Sequence, residues 1–160
     1  MKDRFSYNGA EAPEPIRIEQ VFAEKPAGGL VVEPGFNAPE TTAVGLNANG
    51  KYAVIKGYRL VSAVGASDTT INVAKGSGVA VNDIIAYGKK GVKCTKVDAT
   101  SKDKDVVTVS LGVAIAEGEV LYQAKAASDT EAEPIYAPDY ILGNMIFAGK
   151  GEQPVRLING

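Results

Sequence analysis

The sequence predicts an all-β protein: a small β-barrel or sandwich of two related β-units, preceded by an extended Pro/Gly-rich N-terminal arm. Three observations carry this expectation. Short runs of β-branched and aromatic residues follow one another from about residue 51, with turn residues between them. No window shows the 3.6-residue apolar spacing of a long amphipathic helix. A stretch of 15 residues is also echoed 36 positions later.

The arm comes first. Five of the eight prolines, Pro13, Pro15, Pro26, Pro34 and Pro39, fall in the first forty residues, and Gly28-Gly29, Gly35, Gly45 and Gly50 punctuate the same region. Proline removes ladder donors and blocks helix, so this composition favours extended chain. Ile16-Arg17-Ile18 and Leu30-Val31-Val32 are the apolar extended pieces between the breakers. The expected organisation is therefore an arm over 1–50 and a β-domain over 51–160.

In the body, Tyr52-Ala53-Val54-Ile55 and Tyr58-Arg59-Leu60-Val61 read as strands around Gly57. Thr69 to Val73 and Val106 to Val109 alternate polar and β-branched residues. Asp83 to Tyr87 and Val92 to Val97 flank the turn Gly88-Lys89-Lys90-Gly91, and Asp98 to Asp105 forms a polar hairpin loop. One short turn is expected near Val113 to Glu117, and Val155 to Ile158 closes the chain as a strand.

The echo lays Ile71–Ile85 over Val107–Leu121 without a gap. Val73/Val109, Gly76/Gly112 and Ala80/Ala116 are identical, and Ile71/Val107, Val79/Ile115, Asp83/Glu119, Ile84/Val120 and Ile85/Leu121 agree in class. Asn82 aligns with Gly118, and both residue types tolerate positive φ, so this pair marks a turn. Two such units can pack as a pseudo-symmetric β-barrel.

Composition closes several function classes. The 160 residues hold 17 basic and 19 acidic side chains, a formal net charge of −2, which lacks the basic excess of a nucleic-acid binder. There is no His and one Cys, Cys94, so imidazole-based nucleophilic catalysis and Cys/His zinc sites are closed, as is an intrachain disulfide. No apolar run approaches the ~20 residues of a membrane helix, and the first residues lack the apolar core of a secretory signal.

Gly76-Ser77-Gly78 lacks the third glycine of a dinucleotide loop and reads as a turn. Cys94, with no imidazole to activate it, reads as a small apolar strand residue. Acidic residues cluster at Asp129, Glu131 and Glu133 and at Glu117 and Glu119; a carboxylate hydrolase would need two of them facing each other in a cleft. The loop Asp98 to Asp105 lacks the glycine and terminal glutamate of a calcium loop.

The runs Thr70-Ile71-Asn72-Val73-Ala74-Lys75-Gly76, Val81-Asn82-Asp83-Ile84-Ile85, Ala99 to Val109 and Ile115 to Tyr122, with the closing phrases Ile141-Leu142-Gly143 and Ala148 to Gly160, resemble phage and prophage head-fibre or capsid-decoration proteins. The resemblance spans roughly residues 50 to 160. It implies a virion structural protein, made in the bacterial cytoplasm, that binds the outer capsid surface. Its expected partner is the major capsid protein, and the chain is expected to be a homo-oligomer, a trimer being one candidate. No enzyme activity, cofactor, metal, nucleic-acid or membrane partner is expected. The extended apolar character of the arm, rather than any motif, nominates Ile16, Ile18, Leu30, Val31 and Val32 for capsid attachment. The alternative is a surface-binding module for a host glycan or protein, using Tyr87, Tyr122, Tyr136 and Tyr140; the second alternative is the carboxylate hydrolase.

Overall fold

The computed structural model describes residues 24–159, and the chain folds there entirely as short strands joined by turns. In chain order they are β1 (Gly29–Val31), β2 (Ala43–Leu46), β3 (Tyr52–Val54), β4 (Gly57–Arg59), β5 (Thr70–Ala74), β6 (Ile84–Tyr87), β7 (Lys90–Lys93), β8 (Lys96–Asp98), β9 (Lys104–Thr108), β10 (Val120–Ala124), β11 (Tyr140–Leu142), β12 (Gln153–Val155) and β13 (Leu157–Ile158). The all-β expectation holds.

A six-stranded sheet has the order β12-β1-β3-β2-β11-β13. Its two end strands are consecutive in sequence, with Arg156 alone between them. Lys25 N donates to Leu157 O at 2.9 Å and Glu24 bridges Ile158, so the chain entering β1 also covers β13 and the sheet nearly closes into a barrel. Closure removes exposed strand edges. Val31, Ala38, Val44, Leu142, Ile146 and Leu157 fill the interior, each fully enclosed. Tyr52 and Tyr140 meet edge-to-face beside them.

This barrel revises the expected arm. Its boundary at residues 50 and 51 falls between β2 and β3, which pair with each other through Val44↔Val54, Gly45↔Ala53 and Leu46↔Tyr52. Residues 29–46 are thus part of the folded body, because their few apolar side chains find a core supplied by the far end of the sequence. The prolines sit where they do not disrupt it: Pro34 and Pro39 lie between strands, and Pro154 lies in β12 at the end of the sheet.

The other strands form a second barrel, inserted in the chain between the two halves of the first. A four-stranded sheet (β4-β10-β6-β7) packs with a three-stranded sheet (β5-β9-β8) around Tyr58, Leu60, Ile71, Val73, Ile85, Cys94, Val107 and Leu121. The expected strand over Val92 to Val97 divides at Cys94-Thr95. There the chain changes sheets: Cys94 N donates to Asp83 O (2.8 Å), while Thr95 N donates to Thr108 O (3.1 Å).

The two halves of this barrel are related by a pseudo-two-fold axis, and the repeat lies on it. Ile71 pairs with Val107 and Ala86 with Tyr122, so residues 36 apart are each other's partners across the axis. Equivalent turns carry equivalent backbone: φ is 76° at Asn82 and 86° at Gly118, 82° at Gly76 and 67° at Gly112. Beyond the echo the correspondence continues at a spacing of 34, since Tyr58↔Leu121 matches Val92↔Ile85. Leu60 N→Glu119 O (2.9 Å) matches Cys94 N→Asp83 O (2.8 Å), and Gly118 N→Leu60 O (3.0 Å) matches Asn82 N→Cys94 O (3.0 Å). Cys94 therefore occupies the core position that Leu60 holds in the other half.

The paired turns give a direct test. Gly118→Ala forces a β-carbon into the left-handed region and is expected to cost about 1–2 kcal/mol in urea denaturation. Asn82→Gly is expected to stay within about 0.5 kcal/mol of the parent, because Asn82 already bears the left-handed strain that glycine relieves.

Candidate functional site

Where β4 leaves its neighbours, a cleft of about 440 Å³ opens between the two barrels. β4 continues into a bridge between Leu60 and Val73, but on its Gly57 side β5 runs out into the turn Gly76-Ser77-Gly78. Both turn glycines have positive φ, and a β-carbon on Gly78 would overlap the Phe36 ring, which lies against it. This is the turn role expected of the glycine pair. Phe36, Pro39 and Ile55 line the cleft from the first barrel, and Gly57, Arg59 and Val120 from the second.

Among the described residues the cleft is lined by Lys56, Arg59 and Lys75 and by no carboxylate. Lys56 Nζ is bound to Asp83 Oδ2 at 2.9 Å, and Lys75 Nζ to Asp105 Oδ1 at 2.7 Å. Among the described residues Arg59 has no carboxylate partner, and Ser77 Oγ is buried with no hydrogen-bond partner.

Asp83 anchors the wall. Its Oδ2 accepts from Lys56 Nζ, the Tyr58 hydroxyl and Ala80 N, each at 2.9 Å, and Oδ1 accepts from Gln123 Nε2 at 3.2 Å. Burial, reinforced by the Asp83 carboxylate, raises the Tyr58 pKa far above that of a free phenol, so the hydroxyl stays a donor. Burial likewise raises the Cys94 thiol, the opposite of what a nucleophilic cysteine needs. Elsewhere Glu33 is held by the turn before β12: its carboxylate accepts from Gly149 N and, at 2.8 Å, from Gly151 N. Those two N–H groups lower its pKa.

The residues nominated from sequence are placed unequally. Ile16 and Ile18 lie outside the described residues. Val31 is fully enclosed in the first barrel and cannot present an attachment surface, a correction that follows from strand alternation: Leu30, one residue earlier on β1, points outward and is 54% exposed. Val32 is half-buried, and its N–H is taken by Tyr52 O. The five nominated residues thus leave Leu30 as the one shown to be open.

The tyrosines of the glycan alternative are all partly buried. Tyr87 packs on the second core, Tyr140 on the first, Tyr136 lies over Gly45, and the Tyr122 hydroxyl donates to Gly88 O at 2.7 Å with Ala132 O at 2.9 Å. None forms an open platform. The acids of the hydrolase alternative, Glu117, Glu119, Asp129, Glu131 and Glu133, are exposed, and none lines the cleft. Asp98 caps its own loop through Thr100, and Asp105 is consumed by Lys75. Sequence reasoning passed over Lys56, Arg59 and Ser77; the 34-residue correspondence of Lys56 with Lys90 was the signal that could have singled out the β4 region. No protein-family model, no curated protein and no solved structure matches this chain.

Proposed function

We propose that this protein is a virion structural protein, a head fibre or capsid-decoration protein that binds the outer face of a capsid through the major capsid protein, as a homo-oligomer. The observation that carries the reading is Leu30. It stands 54% exposed on the outer face of β1, beside Pro154 of β12, where the chain enters the first barrel. A large apolar side chain on a rigid strand is suited to a shallow apolar seat on a partner. The resemblance of residues 50 to 160 to head-fibre and decoration proteins supports the same reading. Multiple copies on a particle would let each contact be weak.

The test uses virions induced from a strain carrying the gene and virions from a deletion strain. Mass spectrometry is expected to find the chain in the first preparation, and purified chain is expected to co-sediment with the second. Leu30→Asp, on an exposed site that leaves the fold intact, is expected to weaken co-sedimentation about tenfold or more. Virions without the chain would reject the function; full binding by Leu30→Asp would reject the attachment site.

A further inference from the structure

Among the described residues, the pseudo-symmetry of the second barrel sets an unfilled edge against a filled one. In the β4–β10 ladder, Gln123 N donates to Lys56 O (3.0 Å) and Leu60 N to Glu119 O (2.9 Å). Hydrogen-bonded pairs alternate in an antiparallel ladder, so they fall at Lys56, Tyr58 and Leu60, and the N–H and C=O of Gly57 point away from β10. Among the described residues no second strand pairs with β4 at Gly57 on the side away from β10, and this edge lines the cleft.

The equivalent edge is filled. Gly91 of β7 corresponds to Gly57 at the 34-residue spacing, and Ser128 sits on it: Gly91 N donates to Ser128 O (2.7 Å) and Ser128 N to Gly91 O (2.9 Å). The next residue, Asp129, brings its carboxylate to 3.7 Å from Lys90 Nζ, and Lys90 is the counterpart of Lys56. One half of the barrel thus shows what its edge accepts: a backbone bridge from a single small residue, Ser128, opposite the glycine, with an acid beside it.

We propose that the β4 edge at Gly57 receives an extended acidic peptide segment of a partner protein. A small residue of that segment exchanges both backbone hydrogen bonds with Gly57, and an adjacent carboxylate meets Arg59. Backbone pairing supplies the attachment, as in strand addition generally. Arg59 selects the acid: among the described residues it is the cleft cation without a carboxylate partner, since Lys56 is held by Asp83 and Lys75 by Asp105. Val120, 56% exposed beside Gly57, and Phe36 give the segment an apolar seat. This site goes beyond capsid attachment at Leu30 and stands without it.

The probe is the acetylated, amidated heptapeptide with the sequence of residues 125–131, Lys-Ala-Ala-Ser-Asp-Thr-Glu. Titrated into the ¹⁵N-labelled full chain, it is expected to shift the Gly57 and Arg59 amides saturably. N-methylation of the peptide's serine nitrogen leaves the protein untouched and is expected to weaken binding about tenfold, the effect of one lost hydrogen bond. Arg59→Glu, a change at an exposed site, is expected to weaken it at least about fivefold. Absence of saturable shifts at Gly57, shifts confined to the Gly91 edge, or equal affinity for the N-methylated peptide would each overturn the proposal. So would concentration-dependent dimerisation of the chain that shifts the same amides without peptide, since the occupant would then be a second copy.

Discussion

Deletion of residues 1–50 is expected to unfold the first barrel and leave the second one folded. The deletion removes β1 and β2, the two strands that flank β3, so β3 is left with no strand partner. It also removes Val31, Ala38 and Val44, all fully enclosed. Each buried valine contributes on the order of 1.5–3 kcal/mol, and two lost strands take their ladder hydrogen bonds with them. Set against a domain stability of roughly 5–15 kcal/mol, the loss leaves nothing to hold Leu142, Ile146 and Leu157 in place. The second core, built from residues between Tyr58 and Leu121, contains none of the deleted side chains. Amide spectra of residues 51–160 should therefore keep dispersed signals for 57–124 and collapsed ones for 138–159. Deletion of 1–23 should retain dispersion in both. Dispersed signals from β11 and β13 in the shorter chain would show that the first barrel is complete without its leading strands.

This outcome marks the limit of what the sequence discloses. Strand alternation from Tyr52 onward, the glycine and asparagine turns and the 36-residue echo are local signals, and the structure bears them out except where the expected strands over Val92–Val97 and Val155–Ile158 each divide in two. The echo even lies on the pseudo-two-fold axis, because a repeat whose copies pair with each other must put equivalent residues opposite. Residues 29–46 were misjudged because their partners are remote. Val31 faces Gln153 on one side and Tyr52 on the other, and β2 pairs with β11, nearly a hundred positions away. A proline-rich composition reads as an arm until those strands arrive. The cleft was hidden for a related reason: it exists only because one barrel is inserted into the other, and no spacing within either wall announces it. Val31 shows the finer limit, since its apolar character fits an attachment residue and a core residue equally well until the strand's facing is known.

Asp83→Ala is expected to cost about 2–4 kcal/mol, whereas Glu119→Ala, at the symmetry-related position, should stay within about 0.5 kcal/mol of the parent. The two acids share a turn and a place in the repeat, so the difference isolates what surrounds them. Asp83 is 11% exposed as a side chain and faces Lys56 at 16%, so its removal leaves a cation, the Tyr58 hydroxyl and Gln123 without their acceptor in a poorly hydrated place. Unpaired buried donors cost more than the hydrogen bonds themselves contribute. Glu119 is exposed and, among the described residues, makes no ion pair. Asp83→Asn keeps an acceptor but loses the charge that Lys56 needs, so it should fall between the two. Combining it with Lys56→Met should recover part of the loss, because the stranded cation is then gone. The same carboxylate ties Lys56 and Tyr58, the residues flanking Gly57, to the turn at Asn82, so amide exchange at Gly57 should quicken in Asp83→Ala before global unfolding does. Equal losses at Asp83 and Glu119 would assign the stability to the turn geometry that the halves share and remove the network from the account of the β4 edge.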